Sequence, residues 1–232
     1  MSQTSANKTG LLTDTVSVDG LSYDYQVYVP EKVREGKKLP VVLFLHGIGQ
    51  RGTGGIVPSW GPASLMARHY LGRVPAIIVL PQCRDGRYWS NRDMGEMAVA
   101  VLDHATAELN GDADRLCLIG VSMGGYGAWH LAAEHPGKFS AIVAICGGSP
   151  LRSGDRFNPI ARKVGQTPAW VFHGAEDRIV PVSESRLMVE ALQAAGGNVR
   201  YSEYPGVGHN VWLNVMVEPA LLPWMLGHHN KK

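Results

Sequence analysis

Three side chains suited to acyl transfer occur in one order along this chain of 232 residues: a serine, an aspartate and a histidine. Ser122 stands in Gly120-Val-Ser-Met-Gly124, directly after an apolar run and before an Ala-rich segment. Asp177 follows another apolar run, and His209 comes later, in a glycine-containing loop. A serine hydroxyl is a weak nucleophile until a histidine accepts its proton, and a carboxylate must orient that histidine. The three residues predict a Ser–His–Asp catalytic triad.

Alternatives stay open for each member of this triad. Ser122 could occupy an ordinary tight turn, although glycines on both sides favour a strand–turn–helix elbow that raises the hydroxyl above a sheet. Glu176 could supply the carboxylate, while Asp177 could merely pair with the adjacent Arg178. His209 could be a loop histidine packed by a neighbouring tryptophan.

Apolar runs alternate with helical patterns, which predicts an α/β fold with a mostly parallel sheet of about eight strands and helices on both faces. Ligands bind at the carboxyl ends of the strands in such sheets, and all three triad candidates follow strands. The expected strands are Leu21–Val29, Val41–His46, Ala76–Leu80, Arg115–Val121, Ala141–Cys146, Ala169–His173 and Val199–Tyr204. Helices are expected after a capping box at Asp93-x-x-Glu96, over Met123–Glu134 and Ser183–Ala195, and, short or broken, near Pro219 and Pro223.

The Ser–Asp–His order resembles that of the α/β-hydrolase superfamily from about Tyr23 to Trp224. Within it, Tyr25-Gln-Val-Tyr-Val-Pro30, Leu45-His-Gly-x-Gly-Gln-Arg-Gly52, Pro81-Gln82 and Trp89 are similar to small bacterial esterases of the predicted-peptidase, phospholipase/carboxylesterase and feruloyl-esterase type. The resemblance implies hydrolysis of carboxylic esters, with Gln50 standing where the group commonly has glutamate. Serine at position 122 argues against dienelactone hydrolases, which use cysteine, and haloalkane dehalogenases, which use aspartate.

Acyl transfer also needs N–H donors for the developing oxyanion. One is expected from Met123, the residue after the nucleophile, and the resemblance implies Ile48 as the other. His46 and His173 end buried strands and are expected to support loops. The expected substrate contacts are Trp89, Gln82, Trp212 and Trp60; each tryptophan could equally cover apolar surface without touching a ligand.

The composition limits the classes of partner and cofactor that are expected. The net charge is +2, and basic residues do not cluster, so neither nucleic acid nor a membrane surface is an expected partner. No His/Asp/Glu group has metal-ligand spacing, and neither metal nor cofactor is expected. The polar first ten residues lack a signal-peptide core, which predicts a cytoplasmic protein, or a secreted one if a signal has been removed. The three cysteines are expected to be structural.

We expect a single domain over residues 1–232, with residues 1–12 flexible and 149–167 forming at most a short, polar lid. The predicted function is a serine carboxylesterase that hydrolyses short-acyl or aromatic esters through an acyl-enzyme. A thioesterase or acyltransferase using the same triad is the alternative, followed by a peptidase or a non-catalytic binding module. The oligomeric state is left open.

Overall fold

An eight-stranded sheet forms the centre of the computed structural model, which describes residues 9–31, 36–54, 69 and 74–230. The strand order is β1-β2-β4-β3-β5-β6-β7-β8; β2 is antiparallel to both of its neighbours, β1 and β4, and the other neighbouring strands are parallel. The strands are β1 Gly10–Val18, β2 Leu21–Val29, β3 Leu39–Leu45, β4 Ile77–Pro81, β5 Gly111–Val121, β6 Ala141–Ile145, β7 Ala169–Gly174 and β8 Val199–Tyr204. This is the α/β sheet that the sequence predicts.

Six α-helices lie in the described part of the chain: α1 Arg92–Glu108, α2 Met123–Glu134, α3 Asn158–Val164, α4 Ser183–Ala194, α5 Trp212–Met216 and α6 Leu221–Leu226. The central strands are apolar on both faces because both faces are covered. In β3, Val41 and Leu43 join the core formed with α1 to α4, whereas Val42 and Phe44 join the core formed with α5 and α6. No described helix is long and apolar enough to cross a bilayer.

Two local expectations are wrong. Residues 10–12 belong to β1, which pairs along its whole length with β2, instead of to a flexible terminus. The helix α1 begins after Asn91, and Asp93 binds Arg87 instead of forming a capping box. In the region expected to be a short lid, α3 packs against α2 and α4, and a lid role for residues 149–167 stays a prediction.

Candidate active site

Ser122 lies at the sharp turn between β5 and α2, with φ 55° and ψ −116°. A side-chain-bearing residue in such a conformation costs about 1–3 kcal/mol, which the surrounding structure must offset. The Ser122 N–H donates to the carbonyl of Ile145 at 2.9 Å. A Cβ at Gly120 would overlap the carbonyl of Gly124, and one at Gly124 would overlap the carbonyl of Leu45. Close packing of the turn therefore requires both glycines.

The structure brings Ser122, His209 and Asp177 into one hydrogen-bonded chain. His209 Nε2 lies 2.9 Å from Ser122 Oγ, and His209 Nδ1 lies 2.7 Å from Asp177 Oδ2. Because a carboxylate only accepts, Nδ1 carries the proton and Nε2 is left to accept from the serine hydroxyl. This is the tautomer in which a histidine can act as the base for a serine.

Both oxygens of the buried Asp177 carboxylate are hydrogen-bonded. Oδ1 accepts from the N–H groups of Ile179 at 2.8 Å and Val180 at 2.9 Å, and Oδ2 accepts from His209. Burial alone would raise the pKa of the Asp177 carboxyl, but these hydrogen bonds outweigh burial and hold its pKa below the usual value. The carboxylate is therefore ionised and fixed in orientation at neutral pH.

The alternatives for the acid are resolved by burial and contact. Glu176 is exposed to solvent, whereas Asp177 is buried. Within the residues that the structure describes, the ion pairs of Asp177 are with histidines, and none is with Arg178. The geometry thus gives Asp177 the position next to His209.

The loop after β3 passes close to the serine. It forms a single 3-10 turn over Ile48–Gln50, and a Cβ on the preceding Gly47 would lie 3.7 Å from the Cβ of Ser122. Among the described residues, the N–H groups of Ile48 and Met123 have no hydrogen-bond acceptor. Two free backbone donors therefore flank the nucleophile turn, on the loop and at the first residue of α2.

His46 fixes the start of this loop. Its Nδ1 donates to the carbonyl of Gly47 at 2.7 Å, and its Nε2 accepts from the N–H of Cys83 at 3.0 Å. Burial lowers the pKa of His46 to about 4, so the ring stays neutral and keeps both roles at neutral pH. These contacts are those of a loop support.

The expectation that Trp89 forms a wall of the substrate pocket is wrong. Its side chain is fully buried, its Nε1 donates to the carbonyl of His46 at 2.9 Å, and its ring packs edge-on against the His46 ring. A Cβ on Gly127 of α2 would collide with the indole side chain. Trp89 therefore fills the space between the loop after β3 and the helix α2 that follows Ser122.

The other three expected substrate contacts have different outcomes. Gln82 is buried beneath the same loop, where its Nε2 donates to the carbonyl of Gln50 at 3.1 Å. Trp212 is half-buried directly after the 3-10 turn His209–Val211, and a substrate contact there stays a prediction. Trp60 lies outside the described residues.

Two residues beside the triad carried no catalytic role in the sequence analysis. His173 Nε2 lies 3.2 Å from Asp177 Oδ2. The spacing of four residues after the end of a strand is compatible with this contact but is not sufficient to predict it. The Cys146 thiol donates to the carbonyl of His209 at 3.7 Å, and no sequence signal indicates this contact.

Cys146, Asp177 and His209 form the one group of potential metal ligands found among the described residues, with donor atoms within 4.8 Å of one another. The carboxylate and imidazole already bind each other. Burial raises the pKa of the Cys146 thiol to about 12, so it is protonated and a poor ligand. The group fits a hydrogen-bonded triad better than a metal centre.

Comparison with known proteins assigns this geometry to a family. The phospholipase/carboxylesterase family model matches residues 94–219, more than half of the chain and all three triad positions. The chain belongs to the phospholipase/carboxylesterase family. The family match and the eight-stranded sheet agree on the α/β-hydrolase fold.

Individual relatives of this phospholipase/carboxylesterase family member include a solved structure and proteins matched by sequence. A crystal structure of a thermostable esterase superposes with a TM-score of 0.82 at 29% identity, covering 94% of this chain and 63% of that one. A putative esterase, NocK, from Nocardia uniformis is 30% identical over 61% of this chain and 41% of its own length. An uncharacterised secreted protein from Arthroderma benhamiae is 27% identical over 74% of this chain and 21% of its own length. The chain thus spans between a fifth and two thirds of these relatives.

Proposed function

We propose that this protein is a serine carboxylesterase in which Ser122 is the nucleophile, His209 the general base and acid, and Asp177 the residue that orients His209. The observation that carries the proposal is the continuous hydrogen-bonded chain from Ser122 Oγ through His209 to Asp177 Oδ2, at 2.9 and 2.7 Å. The strained backbone at Ser122 supports it, because strain of this kind persists where a reacting group must be held in place.

In the proposed reaction His209 Nε2 takes the hydroxyl proton while Ser122 Oγ forms a bond to the ester carbonyl carbon. The tetrahedral intermediate collapses, the C–O bond to the leaving alcohol breaks, and His209 gives the proton to that alcohol. Water then attacks the acyl-enzyme with His209 again as base, which releases the acid and restores the hydroxyl. Asp177 keeps its negative charge throughout and stabilises the imidazolium.

The proposed oxyanion donors are the N–H groups of Ile48 and Met123. Support comes from their position beside the nucleophile turn and from their lack of another acceptor. His46 and Trp89 hold the Ile48 loop from behind, so the donor is preorganised before substrate arrives. Preorganised donors of this kind contribute about 3–4 kcal/mol each to transition-state stabilisation.

We propose short-acyl esters as the preferred substrates. The segment after β6 is tied down, since Arg156 forms an ion pair with Glu184 of α4 at 2.7 Å and the Ser149 N–H donates to Glu184 at 3.1 Å. This segment is polar and anchored, so it offers no broad apolar surface for a lipid interface. Because Trp89 is buried, it gives no reason to expect a preference for aromatic acyl groups. Feruloyl esters are therefore ranked below short-acyl esters.

Hydrolysis of p-nitrophenyl acetate, butyrate and laurate, methyl ferulate and an acyl-CoA tests this function. Wild-type protein should prefer acetate or butyrate, and Ser122→Ala should lose about 10⁴-fold or more in kcat while it stays folded. Activity should rise over about pH 6 to 7.5, where histidines ordinarily lose their proton. Retained activity in Ser122→Ala would refute the nucleophile, a laurate optimum would refute the acyl preference, and an acyl-CoA optimum would make the enzyme a thioesterase.

A further inference from the structure

A second histidine binds the same carboxylate oxygen as His209. His173 is the fifth residue of β7 and is fully buried. Its Nε2 lies 3.2 Å from Asp177 Oδ2 and 3.0 Å from the carbonyl oxygen of Val180. Both neighbours are acceptors, so Nε2 must carry a hydrogen that it shares between them.

The other ring nitrogen of His173 identifies its protonation state. Nδ1 lies 2.6 Å from Ser185 Oγ on α4, and a hydroxyl can donate to an unprotonated ring nitrogen. Burial lowers the pKa of His173, so the ring is neutral at working pH, with Nδ1 accepting and Nε2 donating. The next acceptor near Ser185 Oγ is the carbonyl of Gly147, which is farther away at 3.4 Å.

We propose that His173, held in this tautomer by Ser185, is a positioning residue that sets the orientation and acceptor strength of Asp177 toward His209. The inference rests on the proposed esterase function. Two serine–histidine pairs then share one carboxylate oxygen, and only the pair formed by Ser122 and His209 meets the substrate. The other pair is buried and acts through Asp177.

Two effects follow for catalysis. The Nε2–H of His173 gives Oδ2 a second donor besides His209, which holds the carboxylate in place when the imidazole becomes charged. The same hydrogen bond draws electron density from Oδ2, and the carboxylate therefore holds the imidazolium less tightly than it otherwise would. Loss of the donor should lower kcat through poorer orientation and shift the acidic limb of the pH–rate profile upward through a more stable imidazolium.

Three ionisable groups near the hydrogen-bonded residues, Cys146, Tyr126 and Glu203, keep one charge state over the pH range of the acidic limb. Burial raises the pKa of both the Cys146 thiol and the Tyr126 hydroxyl, so both are neutral. Glu203, on the neighbouring strand β8, forms an ion pair with Arg186 at 2.6 Å and stays ionised. A shift of the acidic limb on substitution of His173 is therefore attributable to the contact with Asp177.

The experiment compares pH profiles of kcat and KM for p-nitrophenyl butyrate in four full-length variants. His173→Phe removes the donor, His173→Gln restores an N–H near the position of Nε2, and Ser185→Ala removes the hydroxyl that strengthens the donor. Ser140→Ala is the matched control, because Ser140 is equally buried and donates to the carbonyl of Leu116 at 3.2 Å, away from the triad.

His173→Phe should lower kcat about tenfold to a hundredfold with KM unchanged and move the acidic limb up by about half a unit to one unit. His173→Gln should recover most of both changes, and Ser185→Ala should show smaller changes of the same sign. Ser140→Ala should match wild type in its profile. If His173→Phe fails to fold, Ser185→Ala carries the test against the Ser140→Ala control.

An acidic limb that stays at the wild-type position in Ser185→Ala, and in His173→Phe where that variant folds, would overturn the inference. Failure of the proposed function has a different signature, namely activity that survives in Ser122→Ala. A result in which Ser122→Ala is inactive and both His173→Phe and Ser185→Ala keep wild-type profiles therefore refutes only the role of His173.

Discussion

Replacement of Ser122 by glycine should stabilise the protein while it abolishes activity. At φ 55° and ψ −116° the backbone of Ser122 carries strain of about 1–3 kcal/mol, which glycine does not suffer. This relief is partly offset, because the greater conformational entropy of glycine in the unfolded state costs about 0.5–1 kcal/mol of stability relative to alanine. The difference leaves Ser122→Gly more stable than Ser122→Ala by about 1 kcal/mol, or about 2–4 °C in Tm for a chain of this length.

The assay is the thermal midpoint of both variants at one scan rate, together with urea midpoints. Ser140 supplies the control, since it is buried and its φ is negative, so Ser140→Gly should be less stable than Ser140→Ala. Both Ser122 variants should be inactive toward p-nitrophenyl butyrate. Equal stability of the two Ser122 variants, or a less stable glycine variant, would show that the turn stores no strain.

Further expectations follow from single contacts. Asp177→Asn should lower kcat about 10⁴-fold, whereas the exposed Glu176→Gln should leave kcat within about twofold; equal effects in steady-state assays would place the acid elsewhere. Trp89→Phe, which loses the hydrogen bond to the oxyanion loop, should lower kcat about tenfold without a change in KM, and a rise in KM alone would restore Trp89 as a substrate wall. The ion pair with Arg186 lowers the pKa of Glu203 from 4.5 to about 2. The stability that this pair contributes is therefore present above about pH 4.5 and is lost as the pH falls through about 2. Glu203→Gln should reduce the change of the urea midpoint with pH over that window, and an unchanged slope would contradict this role of the ion pair. EDTA should leave esterase activity unchanged, and inhibition reversed by a divalent cation would refute a metal-free mechanism.

The sequence predicts the nucleophile turn well because several local rules agree there. An apolar strand, glycines at 120 and 124 and an Ala-rich helix all point to the same strand–turn–helix unit, and α2 has the predicted bounds Met123–Glu134. The strand β8 also has its predicted bounds, Val199–Tyr204. Strand β1 was missed because it is an edge strand with polar residues on its outer face, so its alternation is weak.

Tertiary contacts explain what the sequence could not predict. A tryptophan after a strand can point toward solvent, substrate or core, and the inward position of Trp89 depends on Gly127 in a later helix. The contact of His173 with Asp177 depends on the turn between them, which the Asp177 N–H closes by donating to the carbonyl of Gly174 at 3.2 Å. Neither of these two contacts produces a pattern in the neighbouring amino-acid sequence from which it could be predicted.

The packing of Trp89 against Gly127 constrains the order in which these two positions can change. Even a methyl group at position 127 would collide with the Trp89 side chain near its Cβ, which cannot move aside as a flexible chain end could. Because every residue except glycine has a Cβ, a larger residue at 127 is accessible only after Trp89 has been replaced by glycine. Directed evolution of this protein should find the substitution at 89 before the one at 127. In libraries that vary position 127 alone, the folded variants should keep glycine there.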